Sequence, residues 1–204
     1  MDKGMSLQEN IKYRCKELGL SGVNILPMTN ERVETHILTS KGKMHFQEYL
    51  IKNRMLPTVL GIEFENIINA KPADTLLEKI KESDLVIYCP SNPLISIDPI
   101  LEVKGIYDEI KMSDSKKVAI SPIVNDKAFK GPILNLMKLK GLELSVLGVA
   151  EYYKTKADFL LIDNSDKHYE KRIKEFGLEP IITNINMISK DVSFNISKII
   201  LDLL

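Results

Sequence analysis

From residue 70 onward the chain alternates short apolar runs with segments of helical period. This alternation limits the folds open to it more than any other feature. The spacing predicts strands at 84–88, 117–121, 158–163 and 179–183, and helices over 74–82, 105–112, 131–140, 148–154, 166–176 and 191–204. The runs "LVIYC", "KVAIS" and "DFLLID" are apolar along most of their length rather than at every second position. Strands of that kind are buried on both faces, as in parallel sheets covered by crossover helices. The expected fold class is α/β: a parallel sheet in the middle layer, with helices above and below.

The upstream third reads differently. Ser6 followed by Glu9 is a capping box, so a helix should start there and stop at Gly19. Its Leu7, Ile11, Cys15 and Leu18 fall on one face. Over 23–65 the pieces "VNILPM", "ETHILTS", "KMHFQEYLI" and "TVLGIEFE" are short and β-rich, with Gly, Pro and Asn between them. "TSKGKM" predicts a hairpin turn in which Gly42 takes positive φ. The expectation is one α/β domain over 1–204, with a β-rich insertion at 23–65 and an alternating core at 70–204.

Composition narrows the function. Lys plus Arg equals Asp plus Glu at 28 each, a balance that gives no drive toward nucleic acid or an anionic membrane. No uncharged apolar run has the length of a membrane span, and "MDKGMSLQEN" is not a signal peptide. Cys15 and Cys89 stand far apart without metal-ligand spacing, so a reducing cytoplasm is the natural compartment. His36, His45 and His168 show no metal spacing either, and no GxSxG, Walker-type or GxGxxG motif occurs.

Four polar clusters remain as candidate site residues. "LVIYCPSNPLISIDPIL" ends an apolar strand in Pro90-Ser91-Asn92-Pro93. Ligands of open parallel sheets sit beyond the carboxyl ends of strands, and a proline-stiffened turn would hold Ser91 and Asn92 at a fixed place. The same residues also make ordinary turns. A second strand ends in Ser121-Pro122, with Lys130 shortly after, so the two ends could share a crevice. Thr29, Asn30, Glu31 and Arg32 follow an apolar stretch, and Glu31 is a candidate Mg²⁺ ligand or a plain turn residue. In "MHFQEY", strand alternation would put His45, Gln47 and Tyr49 on one face.

Taken in order, "ILPMTNERVETHILTSKGKMHFQEYLI", "CPSNPLISIDPIL", "SPIV…KGP" and "LGVAEYY" resemble the 2-phospho-L-lactate transferase family of coenzyme F-420 biosynthesis, from about Lys3 to the C-terminus. The resemblance implies a Rossmann-like fold, often dimeric. It implies transfer of a phospholactyl-type or phosphoenolpyruvyl group from a guanosine diphosphate-linked donor to the deazaflavin alcohol Fo, with release of GMP and help from Mg²⁺. It places the substrates at Thr29, Asn30, His45, Gln47, Ser91, Asn92, Pro93, Ser121 and Lys130, and the metal at Glu31. Relatives begin with a Gly-rich nucleotide-binding segment, so the chain is expected to lack that segment or to receive it as a separately encoded piece. Where relatives carry two aspartates this chain has Asn30 and Glu31; where they carry glycines it has Cys89 and Asp98; and their late "DTxM" reads "TNINM", with Asn184 and Ile185. A non-catalytic homologue that binds nucleotide or deazaflavin as a scaffold is the alternative.

Overall fold

The computed structural model describes residues 4–20, 22–125, 127–128 and 132–204, with only the backbone of Ala128. Its centre is a parallel sheet in the order β4-β5-β8-β9, formed by β4 (Leu85–Tyr88), β5 (Lys116–Ile120), β8 (Phe159–Asp163) and β9 (Glu179–Thr183). All neighbouring pairs are parallel, and Val118 pairs with both Ile87 and Phe159.

Alternation along each strand divides the core in two. Ala119, Leu160 and Ile162 point into the larger cluster, while Val118, Ile120 and Leu161 point into the smaller one. The larger face is covered by α2 (Leu76–Lys81), α4 (Ile106–Met112), α5 (Ile133–Leu139), α6 (Val146–Tyr153) and α7 (Glu170–Glu175). The smaller is covered by α8 (Lys190–Leu201) through Ile196 and Ile200. The sequence-predicted three layers are therefore present, with unequal cover. Ile87, at the outer strand β4, is 44% exposed.

Gly148 shows how tightly α6 is seated. A Cβ there would lie 2.0 Å from the Glu143 carbonyl oxygen and 2.7 Å from Met137 Cε. Only glycine permits that approach.

The upstream elements follow the sequence in part. Helix α1 (Leu7–Glu17) opens on the expected capping box, with Glu9 N–H donating to Ser6 Oγ and Ser6 N–H donating to Glu9 Oε2. Gly19 leaves it at φ +70°. No α1 residue is buried, and Leu18 is 73% exposed. An antiparallel sheet in the order β2-β1-β3 follows, from β1 (Glu34–Thr39), β2 (Gly42–His45) and β3 (Val59–Glu65), with Gly42 at φ +103° in the hairpin. A two-stranded hairpin, β6 (Ile123–Val124) with β7 (Lys127–Ala128), was not foreseen in the sequence.

Two expectations fail. The segment 23–28 is irregular rather than a strand; its strand-like contacts among the described residues are confined to its end, where the Met28 carbonyl accepts the Ala73 N–H at 3.2 Å and Thr29 makes a single bridge with Pro72. The strand read through residue 51 stops at His45, and Glu48–Lys52 is a one-turn π-helix. His45, Gln47 and Tyr49 therefore do not share a strand face.

Candidate functional site

The residues after β4 build one wall of a crevice that is largely apolar, with Ser91, Asn92 and Ser96 as its polar groups. Asn92 accepts the Leu94 N–H on its side-chain oxygen at 3.0 Å, which caps a second one-turn π-helix, Pro93–Ile97. Pro93 at the first helical position fixes the entry angle. Helix α3 (Asp98–Leu101) continues directly. The apolar residues that follow the Pro-Ser-Asn-Pro turn are thus helical, and Pro93, Leu94 and Ile97 are buried.

A cavity of about 360 Å³ opens beside this turn at the carboxyl ends of β4 and β5. Pro90, Ser91, Asn92, Ile95 and Ser96 form one wall, Pro122, Pro132 and Ile133 another, and Phe46 and Leu50 a third. The two π-helical turns therefore both contribute walls: Leu50 from one, Ile95 and Ser96 from the other. Single π turns are rare and are found disproportionately at functional sites. Asn92 Nδ2 is buried and has no hydrogen-bond partner among the described residues. A larger groove, about 680 Å³, runs between α1 and residues 23–26, but it lies away from the strand ends.

Other sequence-predicted site residues fall elsewhere. Ser121 is fully buried, and its hydroxyl both donates to the Ile123 carbonyl at 2.8 Å and accepts the Ile123 N–H at 3.0 Å. It shapes the loop, while Pro122 lines the cavity. His45 accepts the Gln47 N–H on Nδ1 at 3.1 Å, and its ring meets His36 edge-on with centroids 5.6 Å apart. Neither His45 nor Gln47 lines the cavity; Phe46 and Leu50 of the same segment do. Pro93 supports the wall from inside the core. Lys130 lies outside the described residues.

The Thr29-Asn30-Glu31 cluster does not join this crevice either. Thr29 is buried, its hydroxyl donates to Glu31, and it accepts the Glu31 N–H at 3.2 Å. Lys71 N–H donates to the same Glu31 oxygen at 3.2 Å. These bonds, that from Thr29 first, hold the Glu31 carboxyl below the usual carboxylate range. Asn30 accepts the Gln8 N–H at 2.9 Å, which satisfies a free donor in the first turn of α1. Among the described residues no group of three or more His, Cys, Asp or Glu gathers as a metal site. Glu31 thus has one carboxylate oxygen engaged by two donors, from Thr29 and Lys71.

A four-stranded parallel sheet with helices on both faces makes this a Rossmann-like α/β protein. The crystal structure of protein BH3568 from Bacillus halodurans shares this fold at TM-score 0.68 and 19% identity, covering 96% of this chain and 67% of that one. By sequence the chain belongs to the family 2-phospho-L-lactate transferase CofD, which it matches over residues 1–199. It is 40% identical to the 2-phospho-L-lactate transferase of Methanocaldococcus jannaschii, over 99% of this chain and 64% of that protein. It is 34% identical to the enzyme of the same name from Methanococcoides burtonii, over 96% of this chain and 63% of that protein. The chain thus spans a little under two thirds of the length of these relatives. No helix among the described residues is long and apolar enough to cross a membrane.

Proposed function

We propose that the crevice beside Ser91 and Asn92 binds a guanosine diphosphate-linked phospholactate-type donor, and that the chain serves a transferase of coenzyme F-420 biosynthesis. In this reading a ribityl hydroxyl of Fo attacks the phosphorus next to the carried acid. The bond from that phosphorus to the bridging oxygen breaks, the oxygen leaves with GMP, and the hydroxyl proton is released. Such transfers depend on positioning and charge neutralisation rather than on a covalent nucleophile. Mg²⁺ enters this reading as a counter-ion of the diphosphate, not as a ligand of Glu31.

One observation carries the assignment: the buried, unpartnered Asn92 Nδ2 of a crevice-lining residue. A buried donor left unpaired costs about 1–3 kcal/mol, a cost that a ligand oxygen would offset once the turn moves enough to admit it to a nitrogen now closed to solvent. We further propose that the site is completed along the free edge of β4. Crevices of doubly wound sheets form where the strand order reverses, and the order β4-β5-β8-β9 runs one way. Added strands there, from a separately encoded segment, would bring a second wall to the Pro-Ser-Asn-Pro turn. A homodimer is the competing cover, and sedimentation of the chain alone tests it.

Asn92→Asp separates capping from recognition. It keeps the oxygen that accepts Leu94 N–H and replaces the free donor by an acceptor. Titration calorimetry with GDP should show at least roughly tenfold weaker binding for Asn92→Asp. Equal affinities would remove the crevice from the nucleotide site. A second reading is favoured by the Asn30 and Glu31 bonds, which hold the chain together internally: a nucleotide-binding scaffold without transfer. GDP binding without GMP release from donor and Fo, with the completing segment supplied, would select it.

A further inference from the structure

Beneath the crevice lies a buried polar group that the proposed chemistry does not use. Tyr152 Oη stands 2.5 Å from Asp98 Oδ1 and 3.2 Å from the Pro93 carbonyl oxygen. That same carbonyl accepts the backbone N–H of Asp98, closing the π turn. Pro93 immediately follows Asn92, whose own carbonyl accepts the Ser96 N–H at 2.9 Å. The Tyr152 hydroxyl therefore touches both ends of the turn that presents Ser91 and Asn92.

A tyrosine hydroxyl has one proton and cannot donate to two acceptors at once. With Asp98 ionised, the short charge-assisted bond takes that proton, and the Pro93 carbonyl keeps only the Asp98 N–H. With Asp98 protonated, its carboxyl O–H donates to Tyr152 Oη, and Tyr152 donates to the Pro93 carbonyl. The second arrangement links α6 to the turn through an unbroken chain of donors. Both fit the same heavy-atom positions.

We propose that Tyr152 is a positioning residue for the Ser91-Asn92 turn, and that a proton on Asp98 sets how firmly it holds. The proposal rests on the crevice being the ligand site only for its effect on binding, not for its effect on the turn.

The surroundings fix the direction of the response. Burial raises the Asp98 carboxyl above its ordinary range, against smaller opposing effects from Tyr152, Lys156 and Lys140. Lys156 donates to the Tyr152 carbonyl at 3.0 Å and sits 4.2 Å from its ring centroid, and burial lowers its own pKa. Glu102, at the end of α3, is raised by burial and by Asp98. Tyr153 from α6 and Tyr88 from β4 complete the group, with their ring centroids 5.3 Å apart. A carboxyl whose pKa is raised by folding favours the protonated state in the native form, so its support is lost as pH rises through the folded value. The turn should therefore loosen with increasing pH, in a window starting above about 3.9, the ordinary value for Asp.

The test is amide hydrogen exchange of the full chain by NMR, as protection factors of Ser96 and Asp98, from about pH 4.5 to 7.5. Wild type should lose protection by roughly tenfold on raising pH, with the midpoint seen for the Asp98 carboxyl carbon. Asp98→Asn should show no such step, and Tyr152→Phe should lie low throughout. Should Tyr152→Phe fail to fold, Asp98→Asn alone decides. No step in wild type, or the same step in Asp98→Asn, overturns the proposal. GDP affinity should follow the same step in wild type and be flat in Asp98→Asn. A protection step without a step in GDP affinity upholds the latch and overturns the ligand assignment instead.

Discussion

The turn at 90–93 and the cluster at 29–32 are alike in residue type and unlike in how their polar groups are bonded. Each joins an apolar stretch to hydroxyl and amide side chains. At 29–31 the bonds run inward: Thr29 to Glu31, Glu31 to Lys71, and Asn30 to α1. At 91–92 one amide oxygen caps a helix, and the amide nitrogen is left without a partner beside a cavity. Residue type announces polarity; only the accounting of partners separates a clamp from a site.

The comparison can be broken most severely through the scaffold under the turn. Gly148→Ala would drive a methyl into the Glu143 carbonyl and Met137. Alanine normally favours a helix, yet here a loss of about 3 kcal/mol is expected in urea unfolding. Because α6 carries Tyr152, GDP binding should weaken with it. A stabilised Gly148→Ala would show that α6 is not seated as described.

Thr29→Val comes next. It removes a buried hydroxyl that makes two hydrogen bonds, at an expected cost of about 1–2 kcal/mol. GDP affinity should be unchanged, and a fall would bring the cluster into the site.

The two regions should also respond to pH in opposite directions. Glu31 is held low by its Thr29 and Lys71 bonds. Its support is present above the ordinary carboxylate range and fades as pH falls through the lowered value. Protection of the Lys71 amide should fade with acid while that of Ser96 grows. Parallel responses would erase the distinction. The smallest effect is that of Asn30→Asp, which keeps the acceptor for Gln8 N–H and adds a negative charge at the start of α1. Thermal unfolding should report a gain of about 0.3 kcal/mol.

The sheet was legible because its central strands are buried on both faces, which leaves unbroken apolar runs such as 159–162, and because the outer strand 85–88 is apolar throughout although Ile87 is exposed. The crevice was half legible: strand ends locate it, and Ser91 and Asn92 line it. Segments 46–52 and 93–101 were harder, since alternation and helical period compete over short stretches. A signal was nevertheless there. Phe46, Tyr49 and Leu50 stand at helical spacing, as do Leu94, Ile97 and Leu101, the latter set preceded by Asn92 as cap and Pro93 at the first position. The apolar stretch 23–28 misled for a different reason: a strand needs a neighbour, and no local pattern reveals one.

The two π turns carry a consequence for how homologous chains can be compared. A π turn closes its hydrogen bonds one residue later than an α turn. Removing a single residue between Asn92 and Asp98 would let the backbone relax into an ordinary helix. Side chains beyond the gap would keep nearly their direction, because four α residues turn the chain about as far as five π residues, but the turn would present one residue fewer to the cavity, at the cost of Ile95 or Ser96 in the wall. The number of residues in that segment is therefore constrained independently of their identity. A one-residue gap aligned there in a relative would mark a remodelled pocket even where the flanking Pro-Ser-Asn-Pro is intact.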